Sequence, residues 1–180
     1  MPSRPTGIAA RRGLRLVPAL LVLVVLALPA GALAKDTRTV FVMDRCEPDS
    51  FDAAVEPGTC VRNGGVTFDK FARRLNPDDG GHNAWRFGPP QFTLRAGQTI
   101  VATNTGGETH SFTEVVNFGT GVVPPLNAAL PPGTPPAQPI GDPRFLAAGA
   151  SVQLDALPAG THRFECLIHP WMRTVVTQEG

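Results

Sequence analysis

The chain has no tyrosine, four histidines and three cysteines in 180 residues, and only 17% of its residues are charged. The formal net charge is +1, so there is no basic field of the kind that nucleic-acid binding needs. No Cys-x-x-Cys-His sequence occurs, which excludes that mode of haem attachment. There is no internal repeat. What the chain has in plenty is glycine and proline, 19 of each. That abundance argues against a helical bundle or coiled coil and for short strands joined by many turns. The length suits one domain, or one domain with an extension. Three is also an odd number of cysteines: in an oxidising compartment two can pair, leaving one for another task.

Residues 1–34 contain Arg4, Arg11, Arg12 and Arg15 and no acidic residue. An apolar run from Leu16 to Leu28 follows, then Ala32-Leu33-Ala34 before Lys35. A basic start, a short apolar middle and small residues at −3 and −1 read as a secretory signal peptide cleaved after Ala34. At about 13 residues the run falls short of the roughly 20 that a spanning helix needs. Arg11-Arg12 raises the twin-arginine route, but Arg15 falls where a more apolar residue is expected. Cleavage would remove four of the 16 basic residues and none of the 15 acidic ones, leaving a formal charge of −3. The expected location is extracytoplasmic, and nucleic acid recedes further as a partner.

Beyond that segment, Thr39-Val40-Phe41-Val42 reads as a strand. Residues 44–65 are polar and turn-rich and hold Cys46 and Cys60, which are expected to form a disulfide. A second metal site using them would lack His or Cys neighbours. Thr67 is placed to cap a short helix carrying Phe68, Phe71 and Leu75 on one face, stopped by Asn76-Pro77. From Trp85 onward short runs of strand character alternate with Gly, Pro and Asn: 85–87, 91–94, 99–104, 111–116, 152–154, 163–166 and 174–177. Their spacing suggests an antiparallel β-sandwich. Residues 119–149 form a Pro-rich stretch, and the roughly 30 residues after it are too few for a second core. It is therefore read as an insertion within one domain, giving an extension at 35–84 and a main domain at 85–180.

Chemistry concentrates in Phe164-Glu165-Cys166-Leu167-Ile168-His169-Pro170-Trp171-Met172, a C-x2-H-x2-M pattern. Pro170 disfavours the helical region for His169, so a tight loop between two strands is expected, able to aim thiolate, imidazole and thioether at one ion. His110 follows the Asn104-Thr105-Gly106-Gly107 turn, where a strand begins, and is the candidate fourth ligand. A thioether serves zinc poorly. Two His and one Cys with a weak axial Met point instead to electron-transfer copper.

This pattern resembles the cupredoxin, or blue copper, family, which includes plastocyanin, azurin and amicyanin; the short loop with Pro after the second His is most similar to the amicyanin type. Gly97 to Asn104 resembles the family strand before the first ligand. Gly160-Thr161-His162-Arg163-Phe164-Glu165-Cys166 resembles its Gly-x-Tyr-x-Phe-x-Cys strand, with His162 in the aromatic position, and Ala102 likewise replaces a common aromatic. The resemblance runs from about Trp85 to Thr177. It implies an all-β Greek-key sandwich, one type 1 copper, His110, Cys166 and His169 as equatorial ligands and Met172 as the axial one. Ser111 would offer a backbone N–H to the sulfur. Ile168, where Pro is common in the amicyanin type, keeps an N–H that could add a second bond and lower the reduction potential. His169 would present a ring edge to the surface amid Pro170 and Trp171, the patch where protein redox partners dock.

The expectation is an exported, monomeric carrier of single electrons between protein partners, not an enzyme. The alternative is a protein that holds or delivers copper without redox turnover. A nitrite reductase-like or multicopper enzyme needs further His clusters, which four histidines cannot supply. His82 reads as a loop residue and His162 as a core or strand-edge residue. A thiol nucleophile at Cys166 would leave Met172 and His110 unexplained.

Overall fold

The computed structural model describes residues 1–3 and 36–180, so the signal-peptide expectation lies almost wholly outside the described residues. The unit Ala34–Gly180 is organised around strand β1 (Thr37–Met43). Its β-branched alternation buries Val40 and Val42 completely and turns Phe41 outward. It pairs antiparallel with β2 (Arg86–Gly88) and parallel with β4 (Thr99–Asn104), opposing Val40 to Ala102. With β8 (Ser151–Gln153) these strands make one four-stranded sheet, in the order β2-β1-β4-β8.

The facing sheet combines β3 (Gln91–Leu94), β6 (Thr113–Val115), β9 (Gly160–Glu165) and β10 (Arg173–Gln178), in the order β3-β10-β9-β6. Between the sheets, Phe112 stacks on Phe164 with ring centroids 4.5 Å apart, and Phe87 meets Phe112 edge-on. A two-stranded ribbon, β5 (His110–Ser111) with β7 (Phe145–Leu146), sits beside them.

Two expectations change. The sandwich is mixed, because β1–β4 and β3–β10 run parallel. A parallel neighbour needs a long crossover, and residues 44–98 supply one between β1 and β4. For the same reason residues 35–84 are not separable from a domain starting at 85: their first strand is central to a sheet.

The rest of the extension is helical in two places rather than one. Helix α1 (Pro48–Ala54) starts at Glu47, whose carboxylate accepts from the N–H groups of Asp49 and Ser50, with Pro48 at the first helical position. It buries Phe51. Helix α2 (Phe68–Ala72) is shorter than its apolar stripe implied. Arg74 and Leu75 donate to Phe71 and Ala72, three residues back, so the helix tightens and ends before Asn76-Pro77. A Cys46–Cys60 disulfide closes α1 onto the body of the fold. Replacing both cysteines by serine should reduce stability by about 3 kcal/mol on the chain-entropy account for a loop of this size. The check is a urea midpoint compared with the parent; an unmoved midpoint would contradict it.

The Pro-rich segment is ordered against the sandwich. Val122 donates to the Leu167 carbonyl at 2.7 Å, Val116 to Gln138 and Ile140 to Glu114. The buried Glu165 carboxylate accepts from Gly119 N–H and Arg173 Nε, pinning the segment to the start of the loop that follows β9. Burial pushes the Glu165 carboxyl up to about 7, against the lowering effect of Arg173 and Gly119.

Candidate metal centre

The β9–β10 hairpin closes where Cys166 N–H donates to the Met172 carbonyl, at 3.0 Å, and Met172 N–H returns to the His169 carbonyl, at 2.9 Å. These bonds make residues 166–172 one tight loop at the end of the sandwich. β5 brings His110 to the same end. His110 Nδ1 lies 3.8 Å from the Cys166 sulfur and His169 Nδ1 lies 3.9 Å from it. The three donor atoms are within 4.8 Å of one another, and all three residues are buried. The Met172 side chain, in the same loop, is completely buried.

Does this donor set fit an ion? Bonds of about 2.0 Å to nitrogen and 2.3 Å to sulfur at trigonal angles separate N and S by about 3.7 Å. The observed separations are close to that spacing, at the long end for hydrogen bonds between ring nitrogen and sulfur. Burial would raise the Cys166 thiol pKa, but the two imidazoles hold it well below the ordinary range, so the sulfur is poised as a thiolate.

Two N–H groups point at that sulfur: Ser111 at 3.3 Å and His169 at 3.4 Å. The second donor is therefore His169, not Ile168. The loop curls like a helix cap, in which the side chain of the first residue accepts from a backbone N–H up to three positions on. Ser111 also accepts from Leu167 N–H at 2.7 Å and from the Thr113 hydroxyl at 3.1 Å, fastening loop to strand.

Asp44 was not foreseen. One of its oxygens accepts from the N–H groups of Cys46 and Gly107, and the other from Glu108 N–H and from His110 Nε2, at 2.9 Å. This bond fixes the ring so that Nδ1 faces the sulfur. Burial alone would raise the Asp44 pKa, but His110 and the Glu108 and Gly107 amides outweigh it and hold it at about 2. Burial alone would lower the His110 pKa, yet Asp44 and Cys166 carry it to about 9.

His169 does not present its edge to the surface. It is 2% exposed, enclosed by Trp171, Phe71 and Trp85 with centroids at 5.5, 6.1 and 6.5 Å. Its Nε2 faces a Glu108 oxygen at 3.7 Å, and the same oxygen accepts from Trp85 Nε1. Pro170 is buried, and Trp171 is half-buried against the extension, donating to the His82 carbonyl at 3.3 Å. Gly81, at φ +86°, leaves room for that indole; a Cβ there would overlap the ring. The patch at Pro170 and Trp171 is thus covered by residues whose sequence carried no sign of a lid. His82 packs on Trp85, and His162 binds Glu114 and the Pro158 carbonyl, so neither is brought to the donor set.

Two facing sheets with a histidine and a Cys-x2-His-x2-Met loop at one end make this a cupredoxin-like β-sandwich. No family model matches the chain, and no curated protein does. Among solved structures it is similar to a purple cupredoxin from Nitrosopumilus maritimus, at 17% identity over 58% of this chain and 95% of that one, with a TM-score of 0.41. It is similar to a Cu(I) amicyanin variant at 21% identity over 52% and 73% of the two chains, TM-score 0.35. It is also similar to a copper-containing nitrite reductase from Thermus scotoductus, at 15% identity over 53% of this chain but 20% of that one, TM-score 0.37. No helix among the described residues is long and apolar enough to cross a membrane.

Proposed function

We propose that the protein binds one type 1 copper and carries single electrons between protein partners outside the cytoplasm, as a monomer and without catalysis of its own. The observation that carries the reading is the buried set of two imidazole nitrogens around one cysteine sulfur at 3.8 and 3.9 Å. His110, Cys166 and His169 would hold the ion, with Met172 as the fourth and weaker ligand. Copper, when bound, supplies a one-electron couple. The chain's part is to keep those donors in place. Asp44 fixes the His110 ring, the Ser111 and His169 amides donate to the sulfur, and Phe71, Trp85 and Trp171 pack around His169. A site that neither rearranges nor wets between oxidation states suits rapid one-electron exchange.

Adding Cu(II) to the purified protein should produce an intense thiolate-to-copper absorption that bleaches on reduction and returns on oxidation. Cys166→Ser should remove the band. Absence of copper binding, or binding without the band, overturns the carrier reading. The enclosure of His169 favours one second reading, a protein that holds copper without shuttling electrons. Tightly bound, colourless Cu(I) that resists oxidation would select it.

A further inference from the structure

We propose that the cleft over the outer edge of His169 binds a small organic cation, an aromatic or alkyl body bearing a primary ammonium group. The cleft encloses about 330 Å³ between the extension and the Pro-rich segment. Small-ligand sites begin at roughly that size. Phe51, Phe71, Leu126 and Ile168 line it together with Glu108 and His169. Neither this cleft nor the adjoining depression, which adds Glu56 beside Glu108, is lined by lysine or arginine.

Glu108 is what makes the cleft selective. The residue is 7% exposed, and its Oε2 is taken by Trp85 Nε1 and faced by His169. Among the described residues no hydrogen bond reaches Oε1. A carboxylate in apolar surroundings with an open oxygen and no lysine or arginine in the cleft around it gains from an incoming charged donor. The more exposed apolar lining, Val55, Phe68, Leu126 and Ile168, suits the organic body of such a ligand. An anion of the same shape would bring two like charges together where the dielectric is low, and is rejected. The site stands on the cleft and its carboxylate, so it does not depend on the copper reading. Its occupant would lie against His169.

The test is calorimetric titration of the purified protein, metal-free and copper-loaded, with 2-phenylethylamine and with phenylacetate, probes matched in shape and opposite in charge. The amine should bind roughly tenfold more tightly or better, and should change Trp fluorescence, since Trp85 donates to Glu108. Glu108→Gln should erase the preference. Leu126→Trp, which fills the cleft from its lining, should abolish binding of the amine. Equal affinities for the two probes, a preference that survives Glu108→Gln, or no binding of the amine at millimolar concentration would each overturn the proposal. Because binding is read in both forms, a protein that binds the amine but shows no copper band would overturn the copper reading alone.

Discussion

Asp44→Ala should lower the stability of the metal-free protein by about 3–5 kcal/mol, the usual effect of breaking a buried charged pair from one side. The Asp44 side chain is 1% exposed and serves four donors at once: three backbone N–H groups and His110 Nε2. Removing the acceptor strands all four, at about 1–3 kcal/mol for each that water cannot reach. It also leaves His110, whose pKa Asp44 and Cys166 together raise to about 9, without its anionic partner. The local chain is built around this carboxylate, since a Cβ on Gly106 would overlap it.

Asp44→Asn keeps one oxygen but turns an amide toward N–H donors, so its loss should be intermediate. In the copper-loaded protein Asn should also raise the reduction potential, because an imidazole that donates to a carboxylate is a stronger ligand to Cu(II) than one that donates to an amide. Unfolding in urea checks the first effect and protein voltammetry the second. A midpoint shift worth less than about 0.5 kcal/mol, the scatter of surface substitutions, would remove Asp44 from the architecture argued here.

The difference between Asp44 and the copper-loop residues shows where sequence reading works. Cys166, His169 and Met172 lie within seven positions of one another, and Pro170 with β-rich flanks implies the loop that gathers them. His110 was legible from the turn preceding it. Asp44 stands 66 positions from His110, just past β1, in no motif. What brings it there is the parallel pairing of β1 with β4, a tertiary choice that local pattern does not encode. Strands with several β-branched or aromatic residues were visible; β7, two residues within a Pro-rich segment, had no period to detect. Helix α1 was hidden in a similar way. Its core contact is a single Phe51, so no stripe repeats, and its cap is a glutamate rather than a usual capping residue.

The greatest gap concerned His169, and it leads to the second large effect. Phe71→Ala should reduce stability by about 3–5 kcal/mol, the range for emptying a buried aromatic site. It should also speed reduction of the copper-loaded protein by small hydrophilic reagents. Phe71 is 2% exposed and sits at the centre of the aromatic group, 4.6 Å from Trp85, 5.4 Å from Phe51 and about 6 Å from both His169 and Trp171. It is the ring that closes the extension over the histidine edge. Phe71→Leu refills much of the volume, so it should lose less stability and leave the reduction rate near that of the parent. Stopped-flow reduction beside urea unfolding separates the two roles. If Phe71→Ala is destabilised yet reduced no faster, the aromatic group is core packing and electrons reach His169 by another path. If the rate rises with the cavity, the extension governs access to the metal, and partner choice in this protein is set by residues 51–85 rather than by the surface of the copper loop.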